Sequence, residues 1–148
     1  MEPMPGSGLV IAIVDDEECV RKALERLFRS VGHKVASFRS GEDFLYALGI
    51  CRPDCAILDL HLPGLSGLDV QRCLRRNRNS LPCIIITGKD EPETRDRVLA
   101  SGGAGYLTKP LDQRKLFDMI SLAVSGTHQD MQEDVATFAS ARKGLMVG

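Results

Sequence analysis

No apolar run in the 148-residue chain approaches the length of a membrane span. The first such run, Leu9–Val14, is short, and the Pro/Gly-rich segment Met1–Gly8 before it carries no basic residue. No secretory signal is therefore expected, and the expected location is cytoplasmic. Charge of one sign is also lacking. Lys and Arg number 19, Asp and Glu number 20, and with a net charge of −1 no broad basic character favours nucleic acid. The five cysteines, Cys19, Cys51, Cys55, Cys73 and Cys83, are odd in number and irregular in spacing. That argues against a disulfide framework, and no His/Cys pair stands at zinc spacing. Reduced thiols, used mostly as small core residues, are expected instead. There is no P-loop pattern, no internal sequence repeat and no low-complexity segment.

The composition is otherwise that of one globular domain, 43% hydrophobic and 26% charged. Short apolar runs at Leu9–Val14, Lys34–Phe38, Cys55–Leu58, Cys83–Ile86 and Gly105–Thr108 read as strands. Helical spacing lies between them. Val20, Ala23, Leu24, Leu27, Phe28 and Val31 form one stripe opposite Arg21, Lys22, Glu25, Arg26 and Arg29. Ser40 opens a second helix with Asp43 three residues on, as in a capping box. Leu68–Arg76 is a third, with a solvated basic face of Arg72, Arg75, Arg76 and the following Arg78. Pro92 stands where a fourth begins, and Val98 and Leu99 are expected to serve the core. Leu111, Leu116, Met119, Ile120 and Ala123 place a fifth. Strands alternating with helices predict an α/β fold, a doubly wound five-stranded parallel sheet with helices on both faces and right-handed crossovers. Residues 1–8 are expected to be a flexible N-terminus, 9–126 the folded domain, and 127–148 a tail, linker or weak helix too short for a second domain.

In a parallel sheet the carboxyl ends of the strands share one edge, where open α/β folds place their ligands. Asp15 and Asp16 follow the first strand, Asp59 the third, Thr87 the fourth and Lys109 the fifth. Three carboxylates converging without partners repel one another. A divalent cation relieves that repulsion, and hard oxygen ligands suit Mg²⁺. Carboxylates, a hydroxyl and an ammonium around such an ion suit phosphoryl chemistry, with one carboxylate as nucleophile.

Four segments, read together, resemble a two-component response-regulator receiver domain of the CheY-like, flavodoxin-like (βα)5 fold, closest to FixJ-type regulators. They are Val14-Asp15-Asp16-Glu17, Leu58 through Gly67, Ile86-Thr87-Gly88 and Tyr106-Leu107-Thr108-Lys109-Pro110. The resemblance implies strand order 2-1-3-4-5. It implies Asp59 as phosphoacceptor, served by a sensor histidine kinase or histidine phosphotransfer protein. It implies Mg²⁺ held by Asp16, Asp59 and the backbone carbonyl of His61, with Asp15 acting through water. Lys109, before a cis Pro110, would pair with the phosphoryl group, Thr87 would be the switch hydroxyl and Tyr106 the switch aromatic. Such a domain is a signalling switch rather than an enzyme. Phosphorylation is expected to promote either self-association as a homodimer or partner binding, through a face bearing Arg95 and Arg97, and no direct binding of nucleic acid or membrane by this chain is expected. The competing reading, a Mg²⁺-dependent phosphohydrolase with an Asp nucleophile, typically carries a second Asp two residues after the first. His61 stands there.

Overall fold

Each apolar run becomes one strand of a parallel sheet. The computed structural model describes residues 8–125. The strands are β1 (Val10–Val14), β2 (Lys34–Phe38), β3 (Cys55–Asp59), β4 (Cys83–Thr87) and β5 (Gly105–Thr108). They lie in the order β2-β1-β3-β4-β5, every neighbouring pair parallel. The helices are α1 (Glu18–Ser30), α2 (Gly41–Ala47), α3 (Gly67–Arg76), α4 (Pro92–Ala100) and α5, residues 113–125. The expectations for the N-terminal segment and for the tail 127–148 fall outside the described residues, Gly8 excepted.

Alternate residues of the sheet feed two cores. Ile11, Ile13, Ile57, Ile84 and Ile86 pack with Leu24 and Phe28 of α1 and Leu116 and Ile120 of α5. Ala12, Val14, Ala56, Leu58 and Ile85 pack on the other face with Phe44 of α2, Val70 and Leu74 of α3, and Val98 of α4. Every residue of β3 and β4 is buried, which explains why these runs show no polar alternation.

Several helix expectations need correction. Val31 lies beyond α1 as its C-cap and is 44% exposed, and Ala23 is exposed as well. Leu99 is not in the core beside Val98 but 48% exposed, because α4 buries only the stripe through Val98. Only Cys55 and Cys83 are core thiols. Cys51 and Cys73 are half-buried and Cys19 is exposed, since neither α1 nor α3 turns its cysteine to the sheet. At α2, Ser40 Oγ accepts the Asp43 amide at 3.0 Å, one half of a capping box. The complete box is at α3. There Ser66 Oγ accepts the Asp69 amide at 3.1 Å, and the Asp69 carboxylate accepts the Ser66 amide at 3.0 Å. Its signal in the sequence is Ser66-Gly67-Leu68-Asp69.

Gly67, the first residue of α3, has no room for a side chain. A Cβ there would lie 2.5 Å from the carbonyl oxygen of Asp59. The Gly67 amide donates to the Leu60 carbonyl at 3.0 Å, so α3 starts hard against the end of β3.

Candidate functional site

Backbone bonds align the strand ends before any side chain is considered. The Asp15 amide donates to the Phe38 carbonyl at 3.1 Å, and Leu60 to Ile86 at 2.8 Å. Lys109, just past β5, donates its amide to the Thr87 carbonyl at 2.7 Å. Asp59 therefore ends the central strand between the acidic turn after β1 and the Thr87 end of β4.

Asp15, Asp16 and Asp59 each present a carboxylate oxygen within 4.8 Å of the others. Their environments differ. Asp15 is fully buried and Asp59 is 5% exposed, whereas Asp16 faces solvent. The Lys109 ammonium reaches Asp15 Oδ2 at 3.0 Å, Glu17 Oε1 at 3.3 Å and Asp59 Oδ2 at 3.7 Å. One cation thus serves three carboxylates, and Asp59 is the most distant of them. The Lys109–Pro110 peptide is cis, as the sequence reading expected.

Burial pushes the Asp59 carboxyl above its ordinary range, and the charge of Asp15 pushes the same way. Lys109 and the His61 amide, which donates to Asp59 Oδ1 at 3.3 Å, oppose the rise, and Asp16 adds a little to it. Burial pulls the Lys109 ammonium down, but its bond to Asp15 and the charges of Asp59 and Asp15 outweigh that and hold it above its usual value. The pocket is therefore short of positive charge, and all its acidic donors are hard oxygens. A divalent cation of the Mg²⁺ class fits this donor set.

Two expected partners lie nearby but engaged elsewhere. Thr87 is fully buried, and its hydroxyl accepts the Lys89 amide and donates to the Lys89 carbonyl, both at 3.2 Å. It holds the loop after β4 and makes no bond to Asp59. Tyr106 is half-buried against the core, its hydroxyl accepts the Glu91 amide at 3.5 Å, and the Arg95 guanidinium lies 5.5 Å from its ring centre. One Arg95 nitrogen, Nη2, also donates to both Asp90 carboxylate oxygens at 2.9 Å. His61 keeps an exposed side chain.

Sequence reasoning gave Glu17 no role, yet it is the second-nearest carboxylate to Lys109. The only signal was its place in the acidic run Asp15–Glu18, which does not reveal a partner 92 residues away. Arg21 was missed as well. Its Nη1 donates to the Asp15 carbonyl at 2.7 Å and ties the first turn of α1 to the acidic turn.

Among the described residues no helix is long and apolar enough to cross a membrane. Residues 11–121 match the response regulator receiver domain. Nodulation protein W of Bradyrhizobium diazoefficiens is 36% identical over 121 residues, 82% of this chain and 52% of that protein. Response regulator protein TodT of Pseudomonas putida is also 36% identical over 121 residues, covering 82% of this chain and 53% of its own length. The chain thus spans about half the length of the curated relatives it matches. Among solved structures, a CheY-like receiver domain protein from Methanospirillum hungatei superposes with a TM-score of 0.77 at 22% identity, over 84% of this chain and 99% of that one. A receiver domain protein from Clostridium thermocellum gives 0.76 at 25% identity, over 81% and 97%. The 2-1-3-4-5 sheet, the acidic strand-end cluster and these relatives agree, and the chain belongs to the response regulator receiver domain family of two-component signalling.

Proposed function

We propose that this chain accepts a phosphoryl group on Asp59 from a histidine kinase or histidine phosphotransfer protein, with Mg²⁺, and so changes the surface it offers to a downstream target. One observation carries the reading. A nearly buried carboxylate at the end of the central strand faces two further carboxylates within 4.8 Å and an ammonium at 3.7 Å. That is the charge pattern of a site built to receive a metal-bound phosphoryl group.

Asp16 and Asp59, with the His61 carbonyl, would hold the ion, and Asp15 would act through water. When bound, Mg²⁺ supplies the positive charge that offsets the phosphoryl oxygens. The chain's own residues do the rest. An Asp59 oxygen forms the new bond to phosphorus while the donor's bond to its imidazole nitrogen breaks, and the freed imidazole takes a proton from solvent. Lys109 is already poised to pair with the incoming oxygens. Thr87 then exchanges its bonds to Lys89 for one to the phosphoryl group, which moves the loop from Gly88 to Glu91 and loosens Tyr106. The exposed Arg95, Arg97 and Leu99 border that region and form the candidate face for pairing of two activated copies.

Acetyl phosphate with Mg²⁺ provides the test. The wild-type chain is expected to gain one acid-stable, base-labile phosphoryl group, and Asp59→Asn none. Undiminished incorporation in Asp59→Asn would refute the assignment.

A further inference from the structure

One buried polar side chain plays no part in the site. Gln71 of α3 is 4% exposed. Its Nε2 donates to the Val98 carbonyl of α4 at 2.9 Å, and its Oε1 is buried without a partner among the described residues. Turning the amide over would set two oxygens against each other, so the orientation follows from the contact. An apolar side chain of equal volume would fill the same space without leaving a buried acceptor unpaired. The bond to Val98 is therefore what Gln71 supplies.

That carbonyl sits at a particular point of α4. Gly103 also donates to it, at 3.0 Å, while Gly102 donates to Leu99 at 3.1 Å. With Gly102 at φ +93°, this is a Schellman cap. Gln71 bonds to the oxygen that closes the cap and packs on the chain beyond it. A Cβ at Gly103 would lie 2.8 Å from Gln71 Oε1. Ala104 then donates to Cys83 at 2.8 Å, leading directly into β5. The C-terminal end of α4 is thus tied to α3 and to the sheet.

The N-terminal end is held far less. Its N-cap, Glu91, makes no side-chain capping bond. Its ties to Tyr106 are a long bond from the Glu91 amide, at 3.5 Å, and the Arg95 guanidinium 5.5 Å from the ring centre. The bond from the Thr94 hydroxyl to the Glu91 carboxylate, at 3.0 Å, stays within the first turn. The Arg95–Asp90 and Lys89–Glu91 pairs stay within the same segment. Gly88 has nothing within 4 Å of where a side chain would begin.

We infer that Gln71 is a pin for α4, fixing the helix at its C-terminal end so that it opens and swings from its N-terminal end, next to Thr87. The pin belongs to the resting protein and is tested there, apart from the phosphorylation proposed above.

Amide hydrogen exchange on the unphosphorylated full chain tests it, with Gln71→Met and Gln71→Asn. Met keeps the volume, and Asn keeps the amide but shortens its reach. In wild type the amides of Arg95 to Arg97 should exchange faster than those of Ser101 to Gly103. Both variants should speed exchange at Ser101 to Gly103 by roughly fivefold, the opening expected on losing one ordinary hydrogen bond. The amides of β3 should not change. The inference is overturned by the reverse order in wild type, by unchanged exchange at 101–103 in either variant, or by acceleration extending equally into β3.

Discussion

Asp59 is held at a cost, and removing its charge should strengthen the fold. Asp15 lies within 4.8 Å, which at an effective dielectric of about 20 corresponds to about 3.5 kcal/mol of repulsion or more. Lys109 at 3.7 Å returns about 4.5 kcal/mol of attraction. Solvent-facing Asp16, at the same limit of 4.8 Å, adds only about 1 kcal/mol in a water-like dielectric. The two repulsions at least match that attraction, and the burial of the carboxylate, the largest cause of its raised pKa, is only partly offset by the His61 amide. Removing Asp59 does not strand Lys109, which keeps Asp15 and Glu17. An Asn can still accept the His61 amide, and its NH₂ can donate to Asp15. We expect Asp59→Asn to stabilise the metal-free protein by about 2 kcal/mol at pH 7, several degrees in melting temperature. A group with a raised folded pKa weakens the fold as pH climbs through that value. The gain should therefore shrink as pH falls towards the ordinary carboxylate range. It should also shrink when Mg²⁺ is added, because the ion neutralises the wild-type cluster. Urea titrations of both proteins in EDTA and in Mg²⁺, at pH 7 and pH 4, measure all of this. Equal or lower stability of Asp59→Asn in EDTA at pH 7 would refute the electrostatic account.

Burial holds the His33 imidazole below its usual pKa of 6.5, against a smaller upward pull from Asp54, and its Nδ1 accepts the Leu9 amide at 3.0 Å. The unfolded chain therefore takes this proton first, and stability should fall as pH drops from about 7 through the folded pKa. His33→Gln, which keeps an acceptor but does not titrate, should flatten that part of the urea-denaturation pH profile. Gly67→Ala pushes a methyl group against the Asp59 carbonyl and should cost about 1–3 kcal/mol. Mg²⁺ titration of the same variant should show weaker binding, and unchanged affinity and stability would show that α3 can retreat. In thiol labelling Cys19 should react fast, while Cys55, pushed up to about 12 by burial, and Cys83, raised by the same cause, stay silent until unfolding. Early modification of either would mean that β3 or β4 opens locally.

The architecture is written in local sequence because its causes are local. Runs such as Cys55–Leu58 and Cys83–Ile86 can only be satisfied as strands buried on both faces, and the glycines, prolines and serines between them stop and start helices. A parallel arrangement then forces Asp15, Asp16, Asp59, Thr87 and Lys109 to one edge, so the composition of the site is legible before its geometry. What the chain order does not contain is which groups pair across that edge. Lys109 lies 94 residues from Asp15, and only the closed sheet shows that it leans towards Asp15 and Glu17 rather than Asp59. The Thr87 hydroxyl is held by its own loop because the turn after β4 brings Lys89 back to it. Leu99 is exposed because α4 meets the body along one narrow line, a property of its neighbours and not of its sequence. Gln71 reads as an ordinary polar residue of a basic helix. Only packing puts its amide on the last turn of α4, where burial makes a single hydrogen bond count.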